Sequence, residues 1–87
     1  MRTTDFNWRD AVVAKSGVGR SYSVIVTDPS TGQRRKYGYA DARNEDGGRY
    51  VRGPMVYVWP KGTSRARQLD PYGPVGRLVR AAVERNR

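Results

Sequence analysis

Residues Ser21–Asp28 read S-Y-S-V-I-V-T-D, with Tyr22, Val24 and Val26 on one side and Ser21, Ser23, Ile25 and Thr27 on the other. Such a period of two predicts a half-buried β-strand. Asp28-Pro29-Ser30-Thr31-Gly32 follows. Proline presets φ for a turn, Asp and Ser bond the local backbone, and glycine supplies positive φ. Gln33–Ala40 then returns as a second strand, which makes a β-hairpin with a five-residue turn.

The flanks carry weaker patterns. Ala11–Lys15 is a short apolar stretch, joined to the hairpin through Ser16-Gly17-Val18-Gly19, a turn signal. It predicts a strand at Asp10–Lys15 with a short turn before it. Thr4 to Arg9 suits a helical turn with Asp5 as N-cap, while Phe6 and Trp8 also share a strand face. Periodicity leaves both open.

After the hairpin, Asn44–Gly48 reads as a loop and Arg49–Trp59 as a further extended segment, divided by Gly53-Pro54. Proline cannot donate to a β-ladder, so it belongs at an edge or a bulge. Beyond the division Met55, Tyr57 and Trp59 point one way, Val56 and Val58 the other. A strand apolar on both sides is covered on both sides or meets a partner. Pro60 to Gly73 is polar and rich in Gly and Pro, and reads as loop.

The last segment has helical spacing. Pro74 suits a first helical turn, and Val75, Leu78, Val79, Ala82 and Val83 form one apolar stripe. Arg77, Arg80, Glu84 and Arg87 lie opposite it, and Arg85 and Arg87 complement the C-terminal end of the helix dipole. The stripe needs a surface to bury against, and only the sheet is large enough. The expected fold is α+β: a small antiparallel sheet or partly open barrel of four to five strands with one C-terminal helix at about 74–86. At 87 residues it forms a single domain, 1–87, with a small core.

Charge adds a partner class. The net charge is +9 from 17 basic and 8 acidic side chains. Residues 1–31 carry only +1 of it and residues 32–87 carry +8. A field of this size concentrates polyanions at the surface. The basic groups fall into Arg34-Arg35-Lys36, Arg49 with Arg52, Arg65 with Arg67, and the helix set. On an extended strand Arg35, Tyr37 and Tyr39 share a face, and Arg with Tyr is the combination that neutralises phosphates and stacks on bases. The first thirty-one residues then serve as scaffold.

The chemistry available is narrow. There is no cysteine and no histidine, which removes thiolate metal sites and the usual proton shuttle. Ala14–Ser21 echoes a phosphate-binding loop, but Ala14 replaces its first glycine, Arg20 its lysine, and a strand follows where a helix is needed. Asp41–Gly47 echoes a calcium loop, yet with Gly47 at the sixth position Ala42 and Gly53 fall where oxygen ligands are required. No cofactor or metal is expected.

These readings lead to a non-enzymatic nucleic-acid-binding module of low sequence specificity, acting on DNA or RNA. Its contact residues are Arg34, Arg35, Lys36, Arg49 and Arg52 on the backbone, Tyr37 and Tyr39 as stacking groups, and Arg65 and Arg67 in a loop closing over the ligand. A second expectation is a small phage-type or accessory interaction protein that docks on or inhibits a larger assembly, meeting an acidic surface with Met55, Tyr57 and Trp59 as anchors. A third is a histidine-free ribonuclease drawing on Arg34, Arg35, Tyr37, Tyr39 and Glu45. Trp59 is also read as a core anchor, with Trp8 equally ambiguous. No secretory signal is read at the start. The longest apolar run, Met55–Trp59, is too short to span a bilayer. The expected location is cytoplasmic, or virion-associated for a phage protein, with no membrane partner.

Overall fold

A computed structural model describes residues 3–16, 21–45, 49–60 and 62–86, with only the backbone described at 16, 41–45 and 49–53. Five strands, β1 (Val12–Ser16), β2 (Ser21–Thr27), β3 (Arg34–Glu45), β4 (Arg49–Trp59) and β5 (Arg67–Leu69), form one antiparallel sheet in chain order. The sheet is open, and α1 (Pro74–Arg85) packs on one of its faces. Two short 3-10 turns, Thr3–Asp5 and Trp8–Asp10, precede β1.

The predicted alternation of β2 sets the whole layer. Val24 pairs with Tyr37 and Tyr37 with Val58, whereas Ile25 pairs with Lys36 and Lys36 with Trp59. Because side chains alternate across a strand, Tyr22, Val24, Val26, Tyr37, Tyr39, Val56 and Val58 face the helix. Val79, Ala82 and Val83 of α1 meet them, and Phe6 and Trp8 close the end of the same core. Fully burying a valine contributes about 1.5–3 kcal/mol, so Val24, Val26, Val56, Val79 and Val83 carry much of a small core's stability.

The hairpin turn follows the expected chemistry. Asp28 N–H donates to the Gln33 carbonyl (2.7 Å), and Gly32 N–H, at φ +74, donates to the Asp28 carbonyl (2.8 Å). Ser30 donates to Asp28 Oδ1 from both its backbone N–H (2.9 Å) and its hydroxyl (2.7 Å). These bonds, the hydroxyl's foremost, hold the Asp28 carboxyl below its ordinary value of 3.8.

Several boundaries differ from the sequence reading. Strand β3 runs on past Ala40 to Glu45, which pairs with Arg49, so the loop expected at Asn44–Gly48 is shorter; residues 46–48 lie outside the described ones. The turn expected after Ser16 also falls on residues outside the description, 17–20. Strand β4 is not broken at Gly53-Pro54. The register passes from Ala40↔Met55 to Ala42↔Arg52, leaving Gly53 and Pro54 opposite Asp41 as a bulge. Part of the stretch read as loop, Arg67–Leu69, pairs with β4 as an edge strand too short for any periodicity to reveal.

Candidate nucleic-acid interface

The sheet has a second face, turned away from α1. Across β2, β3 and β4 it presents Ser21, Ala40 and Met55 in one row, then Ser23, Gly38 and Tyr57, then Ile25, Lys36 and Trp59. Small residues thus floor the middle of the face, and two aromatic side chains from β4 border it. The missing side chain at Gly38 makes room for the ring: a Cβ there would lie 2.8 Å from Cζ3 of Trp59 in this ring position. The glycine lets the indole lie across β3, the pairing by which an aromatic covers a strand glycine. Lys36 Nζ stands 5.0 Å from the centroid of the Trp59 ring, within cation–π range. The Tyr57 hydroxyl donates to the Met55 sulfur at 3.4 Å. Between these groups lies a shallow depression of about 330 Å³, lined by Ser21, Gly38, Ala40, Tyr57, Trp59 and Ala66 among others.

The expected contact residues separate on this frame. Arg34 and Lys36 are exposed on the open face. Arg35, one step out of phase, belongs to the helix side. Its guanidinium lies 5.9 Å from the Phe6 ring centroid, and its Nε is buried without a hydrogen-bond partner among the described residues. Arg65 and Arg67 are exposed, but Arg67 is the first residue of β5, opposite Val58, and not part of a covering loop. The side chains of Arg49 and Arg52 lie outside the description. Their strand positions pair with Glu45 and Ala42 of β3, about 36 Å and 26 Å along the strand from Arg34 at roughly 3.3 Å per residue.

Tyr37 and Tyr39 do share a face with Arg35, as expected, but it is the face beneath α1. They are 2% and 8% exposed, so neither ring is presented to a base. Tyr37 packs on Trp8 with ring centroids 5.3 Å apart, and burial pushes its hydroxyl above the ordinary pKa of 10.0. The reason is the strand's phase: the half-buried face of β2 pairs directly with these tyrosines. Of the residues in the ribonuclease expectation, Arg35, Tyr37 and Tyr39 share this face and Arg34 lies on the other; the Glu45 side chain lies outside the description.

The tryptophans are resolved in opposite directions. Trp8 is a core residue whose indole N–H donates to the Thr3 carbonyl at 3.0 Å. Trp59 is half-buried on the open face and stands outside the core cluster. Of the three side chains expected at a protein interface, Tyr57 and Trp59 border the depression, while Met55 is only 7% exposed.

The helix arginines lie on the opposite layer of the molecule. Arg85 donates to the Trp8 carbonyl (2.9 Å), tying the helix end to the N-terminal turn. Arg80 donates to the Pro71 carbonyl (3.4 Å) and sits 5.1 Å from the Tyr72 ring centroid. The basic clusters therefore do not converge on one point.

Sequence reasoning missed Gly38, Ala40, Ser21 and Ala66 as lining residues. A clue existed in the small residues at alternate positions of β3, but only the register sets them beside Tyr57 and Trp59. Among the described residues no three acidic side chains group in a way that would hold a metal ion, and no helix is long and apolar enough to cross a membrane. Comparison of the chain with known protein families, with characterised proteins and with solved structures returns no match, so its function has to be argued from this surface.

Proposed function

We propose that the protein is a non-enzymatic nucleic-acid-binding module of low sequence specificity, with the open face of the sheet as its binding surface. The observation that supports this best is the placement of exposed Arg34 and Lys36 on that face, on a chain of net charge +9. Exposed Arg65 precedes the lining residue Ala66 in the chain and supplies a third cation. Arg49 and Arg52, at the other end of a molecule 45 Å long, suit a ligand that repeats its charge along its length. Phosphate contacts of this kind position a polymer without reading its sequence.

Fluorescence anisotropy against random single-stranded DNA, duplex DNA and RNA at two salt concentrations tests the proposal. With about six phosphates neutralised, affinity falls roughly 10³-fold between 50 and 200 mM salt. Replacing Arg34 and Lys36 together with alanine weakens binding and reduces the salt slope by about two phosphates' worth. A binding constant flat with salt refutes the proposal.

An acidic protein surface is the second reading, favoured by Tyr57 and Trp59 standing half-exposed on the same face. It predicts a complex that Trp59→Ala abolishes and that nucleic acid does not displace.

A further inference from the structure

We infer that the depression beside Tyr57 and Trp59 is a seat for an unstacked base, which makes the preferred ligand a single strand. The inference rests on the nucleic-acid reading above and specifies the form of polymer bound. Three observations carry it.

The first is shape. The depression measures about 330 Å³, at the lower end of the roughly 300–1,000 Å³ that ligand pockets occupy. Its floor, Ser21, Gly38 and Ala40, carries no bulky side chain. The second is chemistry. Tyr57 supplies the aromatic face, with the Trp59 ring lining the depression beside it, and base–aromatic stacking tolerates any sequence because every base has a π-face. The third is charge: Lys36 stands over the Trp59 ring, Arg34 is two residues along the same face, and Arg65 adjoins the lining residue Ala66. A base seated in the depression thus leaves its flanking phosphates beside cations.

A duplex does not meet these requirements. Its base faces are already stacked on one another, and only base edges are reachable through the grooves. Rings held low on a sheet face meet a base only after the base is splayed out, as in single-stranded ligands. The core tyrosines Tyr37 and Tyr39 cannot substitute, being closed off beneath the helix.

The test measures anisotropy of labelled oligo(dT), oligo(rU) and a mixed-sequence DNA duplex with the wild-type protein, Tyr57→Leu and Ala66→Phe. Ala66 is exposed and outside the core, so Ala66→Phe fills the depression at constant charge and decides the matter should Tyr57→Leu not fold. Single strands bind the wild type at least about ten-fold more tightly than duplex, and each variant loses roughly ten-fold toward single strands, the scale of one stacked base, while duplex binding stays unchanged. Oligo(dT) also quenches the emission of Trp59, since Trp8 is buried. Equal affinity for single strand and duplex, or variants that bind single strands as well as the wild type, overturns the base seat while leaving the proposed function standing. Absence of binding to all three probes removes both. Quenching of Trp59 by poly-glutamate but not by oligo(dT) assigns the face to an acidic protein and overturns the base seat.

Discussion

Gly76 sets two physical effects against each other. It is the third residue of α1, after Pro74 and Val75, and helix propensity alone says that Gly76→Ala stabilises the protein by about 1 kcal/mol. The packing says otherwise. A Cβ at Gly76 would overlap the carbonyl oxygen of Asp70 and lie 2.8 Å from the Cα and carbonyl carbon of Pro71. All three atoms are backbone. They belong to a turn held by Gly73 N–H to the Asp70 carbonyl (3.1 Å) and Tyr72 N–H to Asp70 Oδ1 (2.9 Å). Overpacking a close contact costs about 1–3 kcal/mol, and a neighbour that cannot rotate away puts this site at the upper end. Subtracting the propensity gain leaves a net loss of about 1–2 kcal/mol. At roughly 4–8 °C per kcal/mol for a domain of this size, Tm falls by about 5–15 °C. Thermal unfolding followed by circular dichroism measures it, with Arg77→Ala, exposed on the same helix, as a control expected within about 0.5 kcal/mol of wild type. A Gly76→Ala protein that melts higher than wild type would show that the helix end is free to move off the Asp70–Pro71 turn.

Gly38→Val meets a neighbour that can move, the Trp59 ring. The expected result is a stability within about 1 kcal/mol of wild type, since strand propensity offsets the lost contact. Trp59 emission shifts to the red, and an unshifted spectrum contradicts the close approach. The Asp28 carboxyl is held below 3.8 in the folded chain, so its contribution is present above that pH and is lost as pH falls through the folded value. Asp28→Asn therefore flattens the acid limb of a Tm–pH profile, and coincident limbs for the two proteins would count against the Ser30 hydrogen bonds. Val79→Ala, at a fully buried site, costs about 2 kcal/mol from lost burial plus cavity. Val12→Ala, at a 63% exposed site, stays within about 0.5 kcal/mol; equal losses from the two would contradict the placement of the core.

Much of the scaffold was legible because local rules act strongly in it. The phase of Ser21–Thr27, the Asp28–Gly32 turn, the Gly53-Pro54 bulge and the stripe of α1 each follow from side-chain alternation, φ preference or helical spacing. The candidate site was legible only in composition. Arg35, Tyr37 and Tyr39 were correctly placed on one face, yet nothing local says which face the helix covers. Trp59, two positions in phase with Tyr57, was read as a core anchor for the same reason: an apolar strand looks alike from either side.

The sequence by itself determined the sign of the charge, its concentration in residues 32–87, the hairpin and the terminal helix, since each depends on residues near one another in the chain. Tertiary structure alone decided that Tyr37 and Tyr39 are core, that Trp59 lies over Gly38 under Lys36, and that the helix arginines occupy the opposite layer. Those outcomes depend on which sheet face α1 buries and on the register of β3 against β4. Both are set by contacts between segments far apart in sequence, where packing of the whole layer, and not local preference, selects the arrangement.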